Sequence, residues 1–136
     1  MPSRLNPYLS FRGLAREALE FYRSVFGGEC TVTTFGEFGE TPPGVESDQV
    51  MHGQLETSAG FTLMISDVPS ATDLTVGDNI TVSLSGDDVD ALRGYWERLS
   101  EGGTVTFPLE KQVWGDEYGQ CQDRFGIPWM VNISAG

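Results

Sequence analysis

Gly60-Phe61-Thr62-Leu63-Met64-Ile65 returns in the second half of the chain as Gly126-Ile127-Pro128-Trp129-Met130-Val131: glycine, two variable residues, an apolar residue, methionine, an apolar residue. Working outward, each half opens with an apolar, strand-like run, Leu5–Phe11 or Ile80–Leu84, followed by an amphipathic helix. The repeat predicts a duplicated unit whose functional surface lies where the copies face each other. Positions can then be compared by equivalence rather than by isolated motif.

In the first half the apolar positions Ala15, Ala18, Leu19, Tyr22, Val25 and Phe26 recur at intervals of three and four. That is one face of a helix, and Gly27-Gly28 stops it. Cys30–Phe35, rich in Thr and Val, predicts a strand. Glu37–Asp48, with two prolines and four acids, predicts a loop. Val50–Thr57 and Phe61–Ser66 predict a hairpin about Ser58-Ala59-Gly60, and Asp67–Asp78 a polar linker.

The second half repeats this order. Asn79–Ser85 predicts a strand, with Ile80, Val82 and Leu84 under a helix. Asp87 is the expected N-cap, and Asp90 sits favourably in the first turn. Val89, Leu92, Trp96 and Leu99 form the helix stripe, and Gly102-Gly103 end it. Thr104–Phe107 predicts a short strand ending at Pro108, Glu110–Glu117 a loop holding Trp114, and Tyr118–Asp123 with Trp129–Ile133 the final hairpin. The helix-ending glycine pairs are 75 residues apart (103 minus 28) and the hairpin glycines 66 apart (126 minus 60). The first half therefore carries about nine extra residues, matching its acidic Pro-Gly loop, and such loops on a repeated scaffold are where ligand choice is made.

Composition narrows the function. With 136 residues the chain is expected to be one domain with a sizeable core. Its net charge of −12 argues against nucleic acid and anionic membranes as partners. No apolar run is long enough to span a bilayer, and the N-terminus has no signal-peptide pattern, so a cytoplasmic location is expected. Cys30 and Cys121 lie far apart and are expected as reduced thiols. With one histidine they fall short of a structural zinc site. No Gly-rich strand-to-helix turn is present to cradle a nucleotide-like cofactor, and no cofactor is expected.

The runs Asn6-Pro7-Tyr8-Leu9-Ser10-Phe11, Phe21-Tyr22, Val25-Phe26-Gly27-Gly28, Met51-His52-Gly53 and Leu63-Met64-Ile65-Ser66-Asp67 are distinctive together. So are Trp114-Gly115-Asp116-Glu117-Tyr118-Gly119 and Asp123-Arg124-Phe125-Gly126-Ile127-Pro128-Trp129. In order, and over nearly the whole chain, they resemble the PhnB-like branch of the vicinal oxygen chelate superfamily, which includes glyoxalase I and the bleomycin-resistance proteins. The resemblance implies an α+β fold of two βαβββ modules in tandem. These form a curled mixed sheet around a cleft, with helices on the convex side. The modules would span about 4–67 and 79–134, joined by a linker of about 68–78. The resemblance also implies a homodimer.

Enzymes of the superfamily hold a divalent metal through His, Glu or Gln on the first and last strands of each module. Carried over, those positions are Pro7, Met64, Asn79 and Met130, with Tyr8 replacing Pro7 if the register slips by one. These side chains do not suit a hard divalent ion, so no metal is expected.

His52 is the one histidine, a side-chain type that ordinarily changes charge near neutral pH. At alternate spacing with Gln54 and Glu56 it shares one strand face, either a cleft wall with His52 as acid, base or ligand anchor, or a polar face that meets water. Alternation places Met64 and Ser66, then Asn79, Thr81 and Ser83, then Met130 and Asn132 on the cleft side. On the first strand it selects Asn6, Tyr8 and Ser10, whereas the family count selects Pro7, Leu9 and Phe11. Trp114 is expected to close over a ligand or to cover a dimer contact or the core. The expectation is a metal-free protein that binds a small, partly aromatic molecule between its modules. The alternative is a metal-dependent or His52-dependent lyase, isomerase or dioxygenase.

Overall fold

Each half of the chain builds its own four-stranded mixed sheet and lays one long helix on it. The computed structural model describes residues 3–39, 45–69 and 72–134, and the chain divides into two units, Met1–Val76 and Gly77–Gly136.

The first unit runs β1 (Tyr8–Phe11), α1 (Ala15–Phe26), β2 (Glu29–Thr34), a one-turn α2 (Phe35–Phe38), β3 (Val50–Glu56) and β4 (Thr62–Asp67). The sheet order is β1-β4-β3-β2; β1 runs parallel to β4 and the other pairs are antiparallel. The stripe Ala15, Ala18, Leu19, Tyr22 and Val25 is buried against the sheet, where Leu9, Phe11, Val50, Leu55, Leu63 and Ile65 meet it. Each such large apolar side chain removed from water stabilises the unit by about 1.5–3 kcal/mol.

Asp67 fixes the start of the helix. One carboxylate oxygen accepts the Ala15 amide and the other the Val50 amide, both at 3.0 Å, so one buried side chain joins α1 to β3.

The second unit runs β5 (Val82–Gly86), α3 (Val89–Ser100), β6 (Thr104–Lys111), β7 (Glu117–Gln122) and β8 (Pro128–Ile133), in sheet order β5-β8-β7-β6. Here too the first strand is parallel to the last. Leu92 and Leu99 are buried over Leu84, Cys121, Trp129, Val131 and Ile133. The duplication reaches backbone detail. A Cβ on Gly28 would sit 2.3 Å from the Glu56 carbonyl oxygen, and one on Gly103 2.1 Å from that of Gln122. Only glycine lets the chain leaving the helix pass so close to the neighbouring strand.

Several expected boundaries move. The first strand begins at Tyr8 rather than Leu5, and the fifth at Val82 rather than Asn79, leaving Ile80 76% exposed. The reason lies on β8, which starts at Pro128. Ile127 before it spends its amide on the Asp123 side chain and its carbonyl on the Asp123 amide, so β5 has nothing further to pair with. Asp88, not Asp87, caps α3, accepting the Ala91 amide at 3.2 Å.

β6 does not end at Pro108. As an edge strand it carries the proline through register shifts around Phe107, where a missing amide costs no ladder bond. The α2 turn takes in Phe35, expected to end the second strand, and the start of the expected Glu37–Asp48 loop, and it is capped by the Thr34 hydroxyl on the Glu37 amide. Residues 40–44, including Glu40, lie outside the described residues. Asp67, expected to begin the linker, is the buried end of β4. Among the described residues no helix is long and apolar enough to cross a membrane.

Candidate functional site

A sheet with a helix on one face has a second face free for other work. In the first unit strand alternation sends Leu9, Phe11, Leu63, Ile65, Gly53 and Leu55 toward α1. The same alternation turns Tyr8, Ser10, His52, Gln54, Glu56, Thr62, Met64 and Ser66 away from it. The strand register lines up Tyr8, Met64 and Gln54 side by side across β1, β4 and β3. The His52 ring stands 5.9 Å from that of Tyr8.

Glu56 is tied to Arg4 at 2.9 Å, and both groups are largely exposed. Its carboxyl lies below the ordinary carboxylate value, chiefly because the Arg4 guanidinium donates to it, with Gln54 adding a second hydrogen bond.

The second unit repeats the row. Ser83, Met130 and Gln120 stand side by side across β5, β8 and β7, with Ser85, Asn132 and Tyr118 in the next row. Gln120 donates its amide to the Tyr118 hydroxyl. Asn132 donates to the Asp116 carboxylate at 3.0 Å, which draws the loop between β6 and β7 onto this face. Around Tyr118 lie Phe107, with ring centres 5.6 Å apart at 71°, and Trp114, at 6.2 Å and 64°.

The register decides what sequence left open on the first strand. Leu9 and Phe11 are buried toward the helix and Tyr8 is 52% exposed, so alternation reads this strand correctly. Tyr8, not Pro7, stands beside Met64. By the same register Ser83, not Asn79, stands beside Met130. Asn79 and Thr81 lie before β5 on exposed chain rather than on the sheet face. Within the first unit the structure groups Tyr8, His52, Gln54, Glu56, Met64 and Ser66, and within the second Ser83, Trp114, Met130 and Asn132.

The sequence motifs do not single out Tyr118, Gln120, Phe107 and Asp116, which share the face of the second unit. The signal was present: the offset of 66 that carries Gly60 onto Gly126 carries His52 onto Tyr118 and Gln54 onto Gln120.

Three comparisons with known proteins bear on this geometry. The family model described as the Glyoxalase/Bleomycin resistance protein/Dioxygenase superfamily matches residues 4–131. The chain belongs to that superfamily. Among solved structures, protein PA1353 from Pseudomonas aeruginosa is similar, with a TM-score of 0.84 and 32% identity over 98% of both chains. The PhnB protein from Bacillus cereus shares the fold at a TM-score of 0.78 and 19% identity, covering 97% of this chain and all of that one. Among curated proteins, YjdN of Escherichia coli is 28% identical over 95% of this chain and 94% of its own length.

The metal typical of superfamily enzymes finds no matching donors. The paired positions hold Tyr8 with Met64 and Ser83 with Met130. Among the described residues no three His, Cys, Asp or Glu side chains come together to hold an ion. Thioethers are poor partners for Mg, Mn or Ni, and Gln54 and Gln120 are neutral amides. What these faces offer is hydrogen bonding from hydroxyls and amides around an adaptable methionine.

Proposed function

We propose that the chain binds a small, partly aromatic molecule without a metal ion, on the helix-free sheet faces of its modules, and that it works as a cytoplasmic homodimer. The observation that carries the reading is the repeated row: Tyr8–Met64–Gln54 in one unit and Ser83–Met130–Gln120 in the other. Each row sets a polarisable side chain between hydrogen-bonding groups, suited to a ring system with polar substituents. The dimer rests on family membership.

The test is a thermal-stability screen of neutral, anionic and cationic small molecules, repeated on Gln54→Leu and Gln120→Leu. A ligand held at 100 times its Kd raises stability by about 2.7 kcal/mol. The expected result is a ligand whose stabilisation falls at least tenfold in affinity in the glutamine variants. No stabilising compound, or stabilisation indifferent to both variants, would sink the reading.

The enzymatic alternative rests on His52 beside Tyr8. It requires a turnover whose pH profile disappears in His52→Ala.

A further inference from the structure

We infer that the helix-free face of the second unit carries a site for an organic cation, walled by Phe107, Trp114 and Tyr118 and counter-charged by Glu110 and Asp116. The inference deepens the small-molecule reading by naming a ligand class, and rests on it.

Three observations converge. The three rings form a steeply angled cluster, with Trp114 59% and Phe107 43% exposed, so aromatic surface is open to solvent. The loop bearing Trp114 is closed by its own hydrogen bonds, Gln112 amide to Asp116 carbonyl at 2.8 Å and Gly115 amide to Gln112 carbonyl at 3.0 Å. Its indole is therefore presented on an ordered turn.

The charges on this face have one sign. Glu110 is the register partner of Tyr118, and Asp116 is drawn over the face by Asn132. The four cationic side chains of the unit lie elsewhere. Arg93 is paired with Glu117 at 2.7 Å, and Lys111, the register partner of Glu117, shares that residue's side of the sheet. Arg98 lies along α3 beside Gly94, and Arg124 donates to the Glu101 carbonyl. An exposed aromatic cluster beside two carboxylates is the chemistry that takes up a quaternary or protonated ammonium group. A neutral aromatic ligand would gain from the rings but not from the charges.

The test titrates choline, and its neutral isostere with a tert-butyl group replacing trimethylammonium, into the folded protein at low salt. The readout is the indole resonance of Trp114, assigned by its loss in Trp114→Ala. Choline is expected to bind about tenfold more tightly than the isostere and to weaken as salt is added. Glu110→Gln combined with Asp116→Asn should remove the preference while circular dichroism stays unchanged.

Equal binding of the isostere would overturn the cation inference and leave small-molecule binding standing. No perturbation of Trp114 by either probe would overturn the inference alone, since the broader screen judges the parent reading independently. If Trp114→Ala left choline binding intact but shifted sedimentation toward a smaller species, the face would be a contact between copies and the inference would fail.

Discussion

The indole Nε1 of Trp129 donates to the carboxylate of Asp123 at 2.8 Å with both side chains buried. The other oxygen of Asp123 accepts the amides of Phe125 and Ile127, at 2.8 and 3.1 Å. One carboxylate thus shapes the last hairpin and holds the largest side chain of the second core. In the first unit Thr57 occupies the matching turn and accepts the Phe61 amide with its hydroxyl.

Asp123→Ala would leave two backbone amides and a buried indole N–H without their acceptor. A loss of about 2–4 kcal/mol is expected in urea unfolding. Thr57→Ala removes a single neutral acceptor at a partly exposed turn and should cost about 1 kcal/mol. Equal losses would show that the Asp123 contacts are not as structurally important as their burial suggests.

Asp67→Asn is a sharper test of the helix anchor. It keeps the shape but replaces one of the two acceptor oxygens, to which Ala15 and Val50 donate separately, with an NH2. A cost of about 2–3 kcal/mol is expected. Hydrogen exchange should accelerate at whichever of Ala15 and Val50 faces the NH2 before the rest of the first unit. Uniform acceleration across the chain would contradict a local anchor.

Burial raises the Cys121 thiol to about 11, with Asp123 adding to the effect, against an ordinary value of 9.0. The folded chain holds this proton more tightly than the unfolded chain. Its contribution is therefore complete below pH 9 and is lost as pH rises from 9 toward 11. Cys30 is raised by the same cause, offset by Arg23. At pH 8 iodoacetamide should label Cys30 slowly and Cys121 only on unfolding. Prompt native labelling of both would contradict the burial of Cys121.

Much of this was legible in the sequence because the repeat is carried by glycines with steric jobs. Gly28 and Gly103 mark the close passage beyond each helix, and Gly60 and Gly126 the turns of matching hairpins. The methionine faces were legible too, since alternation along β4 and β8 is unbroken. What was not legible depended on partners. Whether Asn79 and Ile80 join a strand is decided by where β8 begins. The passage of β6 beyond Pro108 is decided by its place at the sheet edge. Phe107 meets the Tyr118 ring only because a register shift pairs it with Gln120, which local periodicity does not encode.

Gly53 and Gly119 occupy equivalent central positions, yet their substitutions should differ. A Cβ at Gly53 would meet Ile65 Cγ2 at 2.8 Å and Leu19 Cδ2 at 3.1 Å, side-chain ends that can turn aside. At Gly119 it would meet the backbone of Leu109 at 2.8 Å and the tip of Trp96 at 2.9 Å. Backbone must then move, forcing β6 from β7. Gly53→Ala is expected to cost about 1–2 kcal/mol and Gly119→Ala about 3 kcal/mol. Because Gly119 lies between Tyr118 and Gln120, its substitution should also disturb the Phe107–Tyr118–Trp114 cluster. Near-ultraviolet circular dichroism would report that, whereas Gly53→Ala should leave the signal of these rings unchanged. If the two variants proved equally stable with identical spectra, the close approach of β6 at Leu109 would not constrain this face.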